Sequence, residues 1–314
     1  MSPLPPFASR LVDWQRRHGR HDLPWQKPRT PYRVWVSEIM LQQTQVQTVV
    51  SYFQAFMARF PDLASLSRAS EDDVLAAWSG LGYYSRARNL HRCAQDVMSL
   101  WGGELPKSAK DLETLPGIGP STAAAIASLC AGERISIMDG NVQRVLTRWL
   151  AHDEDLIQSS ARQALAQRAE SLLPPSPKDM PTYTQGLMDL GATVCKPKQA
   201  DCQACPVQAD CQSLRLQRQL DFPVKSRRLK RKSESWCLLC LRTHTGEVAL
   251  IQRPAQGVWA RLWSLPMMSS EDEALAILPA RLRTQVEWAA PIKHVLTHRD
   301  WWLTVGSLTL ERPI

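Results

Sequence analysis

The sequence predicts a mainly helical N-terminal part joined by a basic segment to a small α/β part. Across residues 11–217 apolar side chains recur at three- and four-residue spacings, and Pro or Gly stands between the segments. Residues 225–232, KSRRLKRK, then carry six cations and no acid. Beyond them the apolar pattern shortens to strand-like runs. A chain of 314 residues can hold two or three packed units, and a hydrophobic content of 44% is that of a globular protein.

In order along the chain, helices are expected over 34–50, 71–78, 87–100, 122–129, 142–150, 161–172 and 183–190. They are separated by Pro61, Gly80, Gly82, Gly102, Gly103, Pro116, Gly140, Pro174 and Pro175. After the basic segment, residues 236–241 and 248–251 flank Thr245-Gly246 and are expected to form a β-hairpin. A helix over 274–283 and strands over 294–297 and 301–310 follow. No internal repeat is present.

Composition excludes several classes. No stretch approaches the roughly 18 apolar residues of a membrane span. Residues 1–20 lack the apolar centre of a secretion signal. The chain is read as cytoplasmic and its eight cysteines as reduced thiols or ligands. The net charge is +8, of which the basic segment supplies six, so the remainder nets 8 − 6 = +2. That segment reads either as a solvated linker or as a tether contacting phosphate.

Two motifs carry chemistry. Leu115-Pro-Gly-Ile-Gly-Pro-Ser-Thr-Ala123 is a tight turn, with Gly117 and Gly119, opening into an alanine-rich helix. Such a turn lets backbone N–H groups approach a phosphate without reading a base. Cys195, Cys202, Cys205 and Cys211 form C-x6-C-x2-C-x5-C. Zinc ribbons pair two C-x2-C units and only one is present, so the spacing favours a [4Fe–4S] cluster over zinc. Lys196 and Lys198 lie between the first two ligands. Cys237 and Cys240, an offset of three on a strand, point to opposite faces and read as packing, as do Cys93 and Cys130.

Glu38 lies among Val34, Trp35, Met40 and Leu41. It is either a desolvated acid that holds its proton near neutrality or a buried carboxylate neutralised by Arg33. Asp139, before Gly140 and the helix near 142, suits an N-cap.

The hairpin turn, Asp139-Gly-Asn141 and the cysteine loop together resemble the helix-hairpin-helix DNA glycosylase superfamily. Leu23-Pro-Trp25, the run VSEIMLQQTQ at 36–45 and GLGYYSRARNL at 80–90 resemble the MutY adenine DNA glycosylases within it. The similarity covers nearly the whole chain. It implies an Fe–S helical domain from 1–29 plus 137–217, a six-helix domain with the hairpin over 30–136, a basic linker over 218–235 and a Nudix-like domain over 236–314. It implies that Glu38 protonates the leaving adenine at N7, that Asp139 stabilises the oxocarbenium-like sugar, and that Asn141 positions Asp139. Ser121 stands where endonuclease III-like relatives carry a lysine that forms a Schiff base. Serine cannot form that imine, so a monofunctional glycosylase is expected. Gln143 replaces a lysine found in some relatives.

The resemblance also implies a base-flipping apparatus. Gln42, Gln43 and Thr44 are expected to continue the catalytic helix. Gln43 and Tyr83 are expected to invade the stack around the base opposite adenine. Leu23, Trp25, Val46 and Gln185 are expected to form the adenine pocket, with the Gln185 amide reading the base edge. Without the resemblance Trp25 reads as core and the Gln pair as a polar helix face.

In relatives the Nudix-like domain reads 8-oxoguanine. Here residues 271–283 lack R-E-x-x-E-E, which disfavours pyrophosphate hydrolysis. Gln256-Gly257-Val258-Trp259 and Leu296-Thr297-His298 match two lesion-recognition loops. Thr297 stands for the usual serine, and Leu296 for a phenylalanine, which removes the stacking ring. The chain stops some tens of residues before relatives do, so this domain is expected to lack its last strand and helix. The partner implied is double-stranded DNA with A:8-oxoguanine or A:G mispairs, bound by a monomer, with no membrane. The rival readings are an endonuclease III-like glycosylase and lyase, and a non-catalytic Fe–S protein in which Glu38 and Asp139 are structural.

Overall fold

The computed structural model describes residues 6–226 and 231–311. The chain divides into two compact units, Met1–Ser226 and Arg227–Ile314. No helix among the described residues is long and apolar enough to cross a membrane.

The first unit is helical: α1 Phe7–His18, α2 Pro31–Leu41, α3 Val46–Arg59, α4 Leu63–Arg68, α5 Glu71–Ala77, α6 Ser85–Leu100, α7 Ala109–Leu112, α8 Pro120–Ile126, α9 Gly140–Leu150, α10 Ser159–Ser171, α11 Met180–Asp189 and α12 Gln212–Arg215. Local chemistry sets many starts. Thr30 Oγ1 accepts from Arg33 N and Pro31 occupies the first turn of α2. Ser70 and Ser108 cap α5 and α7, and Asp62 closes a capping box on α4.

One expected helix is two. The periodic run over 34–50 breaks after Leu41, and Gln42, Gln43 and Thr44 form the turn to α3 rather than continuing the catalytic helix. Gln43 takes φ +58°, outside any helix. The break has a tertiary cause. The Arg86 guanidinium takes the carbonyl oxygens of Ile39, Met40 and Gln42, which a continuing helix would have used.

Two helices end in π-helical turns: α8 runs into Ala127–Ala131, and α11 into Leu190–Val194, which delivers Cys195. Such turns recur at functional sites because they re-aim the residues beyond them. A core cluster joins Leu11 of α1, Val142, Val145 and Leu146 of α9, Leu165 of α10, and Tyr183, Leu187 and Leu190. The linker expected over 218–235 is shorter than that. Phe222 is buried and accepts from Arg148 Nε, Leu156 N donates to Val224 O, and Lys232 already begins a strand. Residues 227–230 of the basic segment lie outside the described residues.

The second unit contains β1 Lys232–Thr243, β2 Ile251–Gln252, β3 Trp263–Ser264, β4 Met267–Met268, α13 Glu271–Ala276, α14 Ala280–Arg283, β5 Glu287–Trp288, β6 Ile292–Val295 and β7 Arg299–Leu310. Its main sheet has the order β4-β1-β7-β5, with β6 also on β7. β1 and β7 run parallel in unbroken register from Lys232↔Arg299 to Thr243↔Leu310. Cys237, Leu239, Leu241, Leu308 and Leu310 share a core with Ala274 of α13. The hairpin expected from Thr245-Gly246 forms, but its second arm pairs with β1 only through Ala249, whose N donates to Leu241 O. Thr243 N donates to Glu247 O and Arg242 bridges Val248, after which the chain leaves and Ile251 pairs with β3. The helix expected over 274–283 splits at Pro279, because a residue before proline is pushed out of the helical region.

Candidate active site

Glu38 sits on the last turns of α2 and lines a pocket with Leu23, Trp25, Val46 and Gln185. All four side chains expected around a flipped base are therefore in one wall set, although they span 162 residues of sequence (185 − 23). Trp25 is both core and wall, buried and edge-on to Phe53 at 5.5 Å. Arg20, Arg29 and Met188 also line the pocket. Glu38 is half-buried and lines the pocket wall. Burial, and then the charge of Asp139, push its pKa up to about 7. The alternative counter-ion is turned elsewhere: Arg33 Nη2 donates to Pro24 O at 2.5 Å and its guanidinium lies over Phe53.

Asp139 caps α9, with Oδ1 accepting from Val142 N at 2.7 Å. The capping role and the catalytic role are compatible, because the cap occupies one oxygen and fixes the direction of the other. Asn141 does not bond Asp139. Its Oδ1 accepts from Arg144 Nη2 at 2.8 Å, and a Cβ on Gly191 would stand 2.7 Å from its own. Asn141 therefore anchors the first turn of α9 to the α11 end, and Asp139 is held through that turn. Gln143 Nε2 donates to Met138 O, bracing the same segment.

Tyr83 and Gln43 occupy tips of two neighbouring turns, both with left-handed backbones at φ +48° and +58°. Tyr83 is 43% exposed. Arg86, which the sequence reading passed over, ties the two turns together. Its Nη1 donates to Ile39 O, Met40 O and Gln42 O at 2.8, 3.0 and 2.7 Å. Its Nη2 donates to Leu81 O and Gly82 O at 3.2 Å. The guanidinium packs over Trp78 and Tyr83. The only sequence signal was a cation inside a helix that otherwise buries Ala87, Leu90 and Ala94.

The hairpin follows expectation. Gly117 has φ +78° and a Cβ there would stand 2.7 Å from Asn89 Cβ. Gly119 precedes α8, and a Cβ there would meet nothing, which leaves open space over the helix start. Ser121 lies in the first turn of α8, beside Thr122, whose Oγ1 accepts from Gln42 Nε2 at 3.4 Å.

Cys195, Cys202, Cys205 and Cys211 line a second pocket together. All eight cysteines are free thiols. Among the described residues no group of three or more His, Cys, Asp or Glu is already arranged to hold a metal ion. The surroundings nonetheless suit a thiolate-bound centre. Burial raises the Cys205 thiol to about 12, and Cys195, Cys211 and Cys202 act on it electrostatically. Arg148, 3% exposed, donates to Cys195 Sγ at 3.4 Å and to the carbonyls of Lys196 and Pro197. Gln219 Nε2 points at Cys202 Sγ. Lys196 and Lys198 are exposed.

In the second unit, Gly257 takes φ +97° in a loop whose Trp259 packs on Trp301 at 5.1 Å and on His294 at 5.4 Å. Leu296, Thr297 and His298 turn between β6 and β7, closed by Leu296 N to Arg299 O. The Trp259 contacts thus fasten one expected lesion loop to the strands that carry the other.

Comparison with known proteins agrees with this geometry. Residues 36–175 match the HhH-GPD superfamily of base excision DNA repair proteins, and residues 237–313 match the NUDIX domain. An adenine DNA glycosylase of Buchnera aphidicola subsp. Schizaphis graminum is 34% identical, over 86% of this chain and 77% of its own length. The adenine DNA glycosylase of Homo sapiens is also 34% identical, over 97% of this chain and 67% of its own. Among solved structures, a thermostable thymine-DNA glycosylase aligns with a TM-score of 0.58 and 26% identity, over 67% of this chain and 95% of that one. An endonuclease III–DNA complex, at 17% identity and a TM-score of 0.56 over 67% and 94%, shares the fold. A carboxyl held near neutrality beside Leu23, Trp25, Val46 and Gln185, a hairpin before α8 and these matches agree: the chain belongs to the MutY-type adenine DNA glycosylases, DNA N-glycosylases of the HhH-GPD superfamily.

Proposed function

We propose that this enzyme removes adenine mispaired with 8-oxoguanine or guanine by acid-assisted hydrolysis, acting as a monomer on double-stranded DNA. The carrying observation is Glu38, whose carboxyl keeps its proton up to about pH 7 in the pocket that Asp139's charge also reaches. Glu38 gives its proton to adenine N7, the N-glycosidic bond breaks, and neutral adenine leaves. The Asp139 carboxylate stabilises the oxocarbenium-like sugar until water adds at C1′, leaving an abasic site and a proton. Gln43 and Tyr83, with Gln42 and Thr44 beside them, invade the stack around the base opposite adenine. Gly117 and Gly119 hold a backbone phosphate. The Gly257 and Thr297–His298 loops read the opposite 8-oxoguanine.

The test is release of free adenine from a duplex with A:8-oxoguanine, beside A:G and A:C controls. Fast release from the first two, without strand scission until base is added, is expected. Scission by the untreated enzyme would favour a lyase and overturn the reading of Ser121.

We further propose that the four cysteines hold a [4Fe–4S] cluster, with Arg148 and Gln219 as N–H donors to its sulfur ligands. Such a cluster, when bound, supplies a rigid knot that shapes the Cys195–Cys211 loop and its exposed lysines toward phosphate. Cys202→Ser is expected to lose the brown colour of the cluster and to weaken DNA binding. Retention of both colour and affinity would remove the cluster assignment.

A further inference from the structure

The Gln185 amide is oriented from behind the pocket. Gln185 is 5% exposed and lines the same cavity as Glu38. Its Nε2 donates to Asp189 Oδ1 at 2.9 Å, one helical turn further along α11. Asp189 is fully buried. Arg20 grips it twice, Nε to Oδ1 at 2.8 Å and backbone N to Oδ2 at 2.9 Å. An ionised carboxylate can only accept hydrogen bonds. Turning the Gln185 amide over would therefore set its oxygen against a carboxylate oxygen in a buried place. The amide has one permitted orientation, and Oε1, which has no hydrogen bond among the described residues, is left for the occupant of the pocket.

We propose that Asp189, clamped by Arg20, is a specificity-determining residue. By fixing the Gln185 amide it shows the pocket an acceptor, and so selects a purine with a 6-amino group over one with a 6-oxo group. The inference rests on the adenine glycosylase reading and adds a reason for the choice of base. In adenine, N7 accepts the proton from Glu38 while the neighbouring N6 amino group donates to Gln185 Oε1. In hypoxanthine or guanine N7 is the same, but O6 is an acceptor. It would face Oε1 with no proton between them, and both oxygens would be desolvated. Arg20 pairs with the Asp189 carboxylate and offsets its charge in this role.

The test compares single-turnover release of adenine and of hypoxanthine from otherwise identical duplexes, each opposite guanine. The wild-type enzyme is expected to prefer adenine strongly. In Asp189→Asn the new amide can donate to Gln185 Oε1 and let Nε2 face the pocket, where it can donate to O6. The adenine-to-hypoxanthine rate ratio is expected to fall by about 10- to 100-fold, the range for one hydrogen-bond mismatch in a buried site. A ratio within about twofold of wild type would overturn the proposal, since a purely structural role lowers both rates together. Should Asp189→Asn not fold, Gln185→Met keeps side-chain length without the amide, and the ratio must collapse there too. An unchanged ratio in Gln185→Met overturns the proposal equally. A wild-type enzyme that releases adenine but shows no preference over hypoxanthine sinks this inference alone. Failure to release adenine at all sinks the glycosylase reading beneath it.

Discussion

Glu38→Gln is expected to slow single-turnover adenine release by about 10²-fold or more while leaving DNA binding in place. The amide has the shape of the acid and fits the same packing, but it has no proton to give to N7. The pH dependence follows from the same group. With its pKa at about 7 in the folded protein against 4.5 for a free side chain, base release is expected to fall as pH rises past about 7. Stability moves in the same direction. A raised carboxyl pKa means the folded state binds the proton more tightly than the unfolded one. Folding is therefore favoured at low pH and loses stability as pH climbs from about 4.5 to about 7. Above that range an ionised carboxylate is held in a dry wall. Glu38→Gln removes this burden, so the variant is expected to be more stable than wild type at pH 8 by on the order of 2–3 kcal/mol, and by much less near pH 5. Thermal denaturation at the two pH values measures this. A variant with full rate, or one less stable than wild type at pH 8, would contradict the acid assignment.

The second large effect is expected at Arg86. Replacing it with Met keeps much of the stem's packing on Trp78 but leaves the carbonyls of Ile39, Met40, Gln42, Leu81 and Gly82 without their shared donor. Each buried acceptor left unsatisfied costs about 1–3 kcal/mol, and partial rehydration relieves some of this. A loss of about 3–5 kcal/mol in chemical denaturation is expected. Arg86→Lys retains the charge but not the planar fork, and cannot reach both turns at once, so an intermediate loss is expected. Base release should suffer beyond the stability loss, because the turns bearing Gln43 and Tyr83 depend on the same guanidinium. A loss below about 1 kcal/mol in Arg86→Met would show that the two turns stand without it.

The pocket was legible in the sequence for a particular reason. Leu23, Trp25, Glu38, Val46 and Gln185 lie on four separate segments, and no local pattern links them. Motif resemblance did, and the fold brings all five to one cavity. What escaped was decided by contacts far along the chain. The apolar period over 34–50 is continuous, and nothing in it announces that Arg86, some forty residues later, will take the carbonyls a continuing helix needs. Thr245-Gly246 correctly marked a turn, with Gly246 at φ +92°, but a turn does not specify its second arm. The true partner of β1 is β7, and parallel pairing leaves no local signature. Asn141 was expected to position Asp139; what the sequence did not show is that the close approach of Gly191 and the fork of Arg144 hold its side chain. Asp189 was invisible as anything but a helix residue, because its meaning depends on Arg20 from the other end of the unit.

The parallel pairing of β1 with β7 has a consequence for biogenesis. The two central strands of the second unit are separated by 55 residues of intervening chain, from 244 to 298, and they match along their full length. During synthesis the earlier strand, rich in Leu238, Leu239 and Leu241, emerges from the ribosome with only the short β4 to cover one edge, and its full-length partner is not complete until residue 310 has been made. The helical unit, whose residues all precede this strand, can consolidate meanwhile. Vectorial folding should thus leave a transient sticky edge on the nascent chain, which makes this strand the place where chaperone capture or aggregation of a slowed translation product would begin.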